Sequence, residues 1–252
     1  MTSEGWSLVG VRMSAAPLRE IVAACTDPSV QAARPVTVAC ANLHCLVVAA
    51  RDPEFSAALN GATHVTADGA PLLLAGRLKR ERVGQRITGS DVFAAVMRAL
   101  DASAGRAMFV GSTPAVLARM RARAALDFPH VTVETLSPPF GELTGKQNQA
   151  IVAAVNEFQP DVLCVGMTAP KQEKWVARHA SALQARGIIS VGAVFDFYAG
   201  TVRRAPRWMQ RAGLEWLHRL VSEPRRLWRR YLISGPIFIA LLWRDRWARR
   251  DG

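Results

Sequence analysis

Short β-branched runs alternate with amphipathic runs through the first 200 residues, and this alternation constrains the fold more than any other feature. "PVTVAC" (Pro35–Cys40) reads as a strand and the apolar "LHCLVVAA" after it as a helix. "ATHVTA" (Ala62–Ala67) is a strand that closes on Asp68-Gly69, and a helix follows through Leu78. "SDVFAAVMRALDAS" has a Ser/Asp cap and helical spacing at Val92, Ala95, Val96 and Ala99. "RAMFVG", "VTVETL", "DVLCVGM" and "GIISVGA" are further strands. Between them lie the helical "TPAVLARMRARAAL", "GKQNQAIVAAVNEF" and "PKQEKWVARHASALQ". Strands alternating with helices predict a Rossmann-like α/β domain, a parallel sheet with helices on both faces.

Open sheets of this kind bind ligands at the carboxyl ends of their strands. The residues that follow each strand are Asn42, Asp68-Gly69, Gly111 through Pro114, Gly166 through Glu173, and Gly192 through Gly200. All are expected on one edge. Asp68 lies between a strand and an apolar helix, where it fits a helix N-cap or a general base. In "FVGSTPAV" the backbone N–H groups of Gly111, Ser112 and Thr113 suit a phosphate or a sugar hydroxyl, although ordinary turn chemistry accounts for them as well. In "VGMTAPKQEKW", Gly166 ends a strand and Lys171, Gln172 and Glu173 crowd a helix start. A lysine there opposes the helix dipole, which points to an anionic ligand. Asp196, in the glycine-bounded loop "VGAVFDFYAG", is expected to bond to backbone N–H groups or to an arginine.

Charge divides the chain. Residues 201–252 hold 13 Arg, no Lys and four carboxylates, a net +9 out of +12 for the whole chain of 252 residues. Five of the seven Trp lie in the same segment. The boundary falls near residue 200: a domain over 1–200 and a basic, Arg/Trp-rich helical appendage over 201–252. The longest apolar stretch, "YLISGPIFIALLW" (Tyr231–Trp243), falls short of the roughly 20 residues a spanning helix needs. It is followed by arginines and tryptophans, which suits lying in a membrane interface. The appendage also has enough apolar bulk to pack on the domain or to form a homo-oligomer. No signal peptide is expected from the first residues. The four cysteines form no CxxC pair, no His spacing completes a zinc site, and there is no Asp-x-Asp pair. No metal and no other cofactor is expected, and charge on a diphosphate would be met by arginines and backbone amides.

Several strings together resemble the WecG/TagA/CpsF glycosyltransferases (glycosyltransferase family 26). They are "TADG", "QRITGSDVF", "VGMTAPKQEKW" and the long "VGAVFDFYAGTVRRAPRWMQRAGLEWLHRLVSEPRRLWRRYL", in matching order from about Val36 to Leu232. The resemblance implies inverting, metal-independent transfer from a UDP-sugar to a sugar on a polyprenyl diphosphate in the cytoplasmic leaflet. It implies Asp68 as base, Asn42 near the acceptor, Arg86 in the position of the family's RVxG arginine, and Gln172 beside the donor. The arginines of "RRAPRW" and "EPRRLWRR" (Arg204, Arg225, Arg226 and Arg229), together with Arg219, would meet UDP or the lipid diphosphate. The sequence departs from the family's TxN motif at Cys40, where the family has Thr.

Two other classes compete. A basic chain of pI about 10.8 is compatible with nucleic-acid binding without catalysis. No RRM, KH, helix-turn-helix or zinc-finger signature supports that class, and the charge sits beside an apolar run. A dinucleotide-dependent oxidoreductase is disfavoured by the missing GxGxxG fingerprint.

Overall fold

The computed structural model describes residues 5–29, 34–203, 205–206, 208–209, 215–222, 228 and 232–248. Its centre is a six-stranded sheet of β3 (Val36–Ala41), β4 (His64–Ala67), β5 (Arg106–Gly111), β6 (Thr132–Leu136), β7 (Val162–Gly166) and β8 (Gly187–Ser190). The order across the sheet is β4-β3-β8-β7-β5-β6, and every pairing is parallel. All six carboxyl ends therefore reach one edge, as the alternation predicts. The inner strands read as continuous apolar runs because both of their faces are covered. In β5, β7 and β8, Phe109, Cys164 and Ile189 point into one core, and Met108, Leu163 and Ile188 into the other.

The helices divide between the two faces. On one face lie α1 (Leu18–Thr26), α5 (Gly89–Ala102), α6 (Pro114–Asp127) and α9 (Val194–Ala199), which bury Ile21, Phe93, Met97, Met120 and Phe195. On the other lie α2 (Leu43–Ala49), α3 (Pro53–Asn60), α7 (Gly145–Phe158) and α8 (Lys171–His179), with Leu46, Phe55, Ile151 and Trp175 buried. The helix α4 (Ala70–Leu78) follows β4. The α/β class and the parallel sheet covered on both faces are thus observed.

Three local expectations are corrected. The cap of α5 is Thr88, not the Ser/Asp pair: Thr88 and Asp91 form a reciprocal capping box. Asp196 lies in the first turn of α9, not in a loop. Helix α8 stops at His179 and a 3₁₀ turn over Ala180–Ala182 completes the run. The sequence reading also passed over an N-terminal hairpin, β1 (Gly5–Leu8) and β2 (Val11–Ser14). Trp6, Leu8, Val11 and Met13 alternate into the core. The turn puts Val9 and Gly10 at φ 50° and 75°, where Asn-Gly would be the readable signal and Val is a rare choice.

The appendage is partly part of the domain. Its helices are α10 (Glu215–Ser222) and α11 (Ser234–Ala248). Helix α11 lies against α2, with Phe238 buried and Ile237, Leu241 and Leu242 packed around it. His44 Nδ1 and Ser234 Oγ are 2.9 Å apart. At the far end Asp245 accepts from the backbone N–H of Val9 at 3.2 Å and pairs with Lys79. Among the described residues no helix is long and apolar enough to cross a membrane.

Candidate active site

A cleft of about 1350 Å³ opens along the carboxyl edge of the sheet. Asn42, Asp68, Arg86, Gly111, Ser112, Thr113, Gly166, Lys171 and Gln172 all line it. The sheet accounts for their convergence. The Asp68 N–H continues the β3–β4 ladder by donating to Ala41 O at 2.8 Å. The Ile87 N–H donates to Ala67 O at 3.2 Å, which ties the segment carrying Arg86 to the same strand end. The N-cap position of α4 is Gly69 and not Asp68. Asn42 does cap its helix: its Oδ1 accepts from the Cys45 N–H at 3.2 Å.

Two glycines let β5 and β7 approach at their ends. A Cβ on Gly111, at φ 132°, would lie 2.3 Å from the Gly166 carbonyl oxygen. A Cβ on Gly166 would lie 2.6 Å from the Phe195 ring. Ser112, at φ 53°, donates its N–H to Gly166 O at 3.2 Å, and Thr113 caps α6 by accepting from the Val116 N–H. The turn is therefore built by ordinary cap chemistry and still faces the cleft.

The start of α8 holds one surprise. Lys171 donates to the Gly141 carbonyl of the loop after β6, so the opposed helix dipole does not by itself require an anion. Gln172 and Glu173 are each only 4% exposed. Gln172 reaches the cleft, whereas Glu173 does not line it and lies behind, accepting from Gln172 Nε2 at 2.8 Å. Farther along α8, Lys174 and Arg178 bind Asp52 and Glu54 on α3. Cys40 lines the cleft, and its thiol is pushed up by burial first, then by the charges of Asp68 and Glu173. Burial alone raises Cys25 to about 12. The cysteines are all free.

Asp196 also lines the cleft, and its Oδ1 accepts from the Thr201 hydroxyl at 3.3 Å. Gly192, expected on this edge, lines the cleft; residues that sequence reasoning did not select include Trp216 of α10, Gly235 at the start of α11, and the loop from Pro138 to Leu143. The Pro-Pro pair and the lone glycines were the available signals; nothing in the spacing connects Trp216 to the sheet edge. Arg204, Arg225, Arg226 and Arg229 lie outside the described residues, as does the side chain of Arg219 on α10. Among the described residues no group of three or more His, Cys, Asp or Glu converges as a metal site.

A covered parallel sheet with a cleft across its strand ends is a doubly wound α/β architecture, which takes its ligands at that edge. Comparison with known proteins narrows the class. The chain matches the glycosyl transferase WecG/TagA/CpsF family over residues 6–252, and it belongs to that family. It is 27% identical over 198 residues to an N-acetylglucosaminyldiphosphoundecaprenol N-acetyl-beta-D-mannosaminyltransferase of Bacillus spizizenii strain W23, covering 79% of this chain and 75% of the relative. It is 28% identical over 185 residues to the enzyme of the same description from Bacillus subtilis strain 168, covering 73% of this chain and 70% of that one.

Proposed function

We propose that this glycosyltransferase moves a hexosyl or N-acetylhexosaminyl unit from a UDP-sugar to a sugar carried on a polyprenyl diphosphate, with inversion and without a metal. The observation that carries the reading is the convergence of Asp68, Asn42 and Arg86 with the Gly111–Thr113 turn and Gln172 in one cleft. The acceptor class is supported by the relatives, whose names specify a diphosphoundecaprenol-linked sugar.

In this reading Asp68 takes the proton of the acceptor hydroxyl as that oxygen attacks the anomeric carbon. The new C–O bond forms on the face opposite UDP, the bond to the phosphate oxygen breaks, and UDP leaves with the electron pair. Asn42 has its amide oxygen engaged in the α2 cap, so its NH₂ is the arm suited to an acceptor hydroxyl. Arg86 and the appendage arginines meet the charge that develops on the diphosphate.

The same reading puts the chain on the inner face of the cytoplasmic membrane. Helix α11 is apolar on both sides: Phe238 is buried in the domain, while Ile239 and Trp243 are exposed. Leu232 and Ile233 before the helix are exposed too, and Arg244 follows Trp243. An apolar outer face beside cations suits an anionic interface.

The test is transfer from a panel of UDP-sugars onto a synthetic lipid-diphosphate sugar, with and without EDTA. Transfer that survives EDTA is expected. Absence of transfer from every UDP-sugar overturns the donor class, and loss in EDTA restored by Mg²⁺ or Mn²⁺ overturns metal independence.

A further inference from the structure

Gln172 is built into the wall of the cleft in an unusual way. Its side chain is 4% exposed, yet it lines the opening. Its Nε2 donates to Glu173 Oε1 at 2.8 Å, while its Oε1 is buried without a hydrogen-bond partner. Its backbone N–H is held by the Thr168 carbonyl at 3.1 Å, which fixes the root of the side chain. A buried amide oxygen left unmatched costs free energy that a native site normally recovers from a ligand or a water.

The neighbouring carboxylate decides which way the amide faces. Glu173 Oε1 accepts from the NH₂ arm, so the oxygen arm of the planar amide is turned the other way. Gly192, at φ 52°, lies over this group: a Cβ there would come to 3.4 Å from Oε1 and 3.5 Å from Nε2. The buried amide thus sits against the bare backbone of Gly192, which itself lines the cleft.

We infer that Glu173 is a positioning residue that holds the NH₂ of Gln172, so that Gln172 Oε1 faces the cleft as an acceptor for an N–H or O–H donor on the nucleotide sugar. The inference rests on reading the cleft as a nucleotide-sugar site. The donor belongs either to the uracil ring or to the sugar, whose hydroxyl or acetamido groups offer the same chemistry. A site that accepts from such a group discriminates strongly against ligands that lack it.

The experiment is equilibrium binding of UDP, UDP-glucose and UDP-N-acetylhexosamines to the full chain and to Gln172→Met, Glu173→Gln and the double variant. Gln172→Met is expected to weaken the best UDP-sugar at least tenfold. An equal loss for UDP assigns the donor to the uridine, and a loss confined to UDP-sugars assigns it to the sugar. Glu173→Gln lets the Gln172 amide rotate and is expected to weaken the same ligands several-fold. In the Gln172→Met background it is expected to do nothing more, a non-additivity that a purely structural glutamate would not show.

Wild-type affinity in Gln172→Met, or the same Glu173→Gln loss in both backgrounds, overturns the inference. Wild-type chain that binds no UDP-sugar overturns the donor reading itself and this inference with it. If the Glu173 variants fail to fold, hydrogen exchange at the ¹⁵N-labelled Gln172 side chain decides in the wild type. Protons held by Glu173 exchange slowly before any ligand is added; fast exchange overturns the assignment.

Discussion

The strand-end edge and the C-terminal appendage are both polar-functional regions of one chain, and they are organised by different physics. At the edge, Asn42, Gly111 and Gly166 close β3, β5 and β7, each paired with a strand on both sides, and Asp68 closes the outer strand β4, tied to β3 by its own N–H. The ladder sets the position, and glycines at 111 and 166 permit the closeness. In the appendage the described order comes from one helix docked by a few apolar side chains and the Asp245 contacts at its far end. Chemistry that needs reacting atoms held within a fraction of an ångström suits the first region. Adhesion to a fluid surface, the role proposed above for the second region, needs only exposed apolar area beside cations.

This difference also explains what was legible. Apolar runs and helical periodicity are properties of buried faces, so the six parallel strands and most of the helices between them could be read from the sequence pattern, although α3 was passed over. The edge followed from the rule for parallel sheets. The docking of α11 was not legible, because its apolar residues surround the helix and no pattern says which of them face the domain. Phe238 and Ile239 are adjacent in sequence, one buried and one exposed. The same limit hid Glu173: it reads as a first-turn acid, and only the fold puts it behind Gln172.

Breaking the comparison at the edge should produce the largest effect. Asp68→Asn removes the base without changing size, and turnover should fall by about 10²-fold or more while UDP affinity and thermal stability stay near wild type. A purified variant that turns over like the wild type removes Asp68 from the mechanism. Gly111→Ala should come next. Its Cβ would meet the Gly166 carbonyl, a backbone atom that cannot swing aside, at a φ that L-residues rarely adopt. We expect a loss of about 3 kcal/mol by urea denaturation, the upper part of the usual overpacking range. A stability equal to wild type would show that the β5 and β7 ends can part at little cost.

In the appendage the effects should be smaller and local. Phe238→Ala should lower stability by about 2 kcal/mol, close to the burial value of the ring, because α11 can separate before the sheet unfolds. Hydrogen exchange should show α11 amides losing protection while those of β7 and β8 keep theirs. Trp243→Ser with Ile239→Ser changes only the outward face. It should leave the fold and transfer to a short soluble acceptor intact and lower flotation with anionic vesicles several-fold. Equal flotation would mean that another surface holds the membrane. Truncation before α11 is the poorer test, since it also takes Phe238 out of the core.

The smallest expected effect lies beside the strand-end edge, at the rim where α8 meets α3. Lys174 Nζ lies 2.6 Å from Asp52 and 3.2 Å from Glu54, and Arg178 Nε donates to Glu54 at 2.9 Å. Asp52 is held below its usual 3.8 by the Lys174 bond first and by the Phe55 N–H next. Glu54 is held below its usual 4.5 by Arg178 first. Lys174 is raised above 10.5, chiefly by Asp52. Lowered carboxylates contribute stability that is present above their ordinary values and lost as pH falls through the folded ones. The raised lysine contributes stability that is present below 10.5 and lost as pH climbs through its folded value. The stability difference between wild type and Lys174→Met should therefore be flat across neutral pH and shrink toward both extremes. It should also shrink in high salt, because pairs at a solvent-facing rim are screened. A difference that persists unchanged at acid pH would mean that Lys174 acts through its packed aliphatic stem and not through its charge.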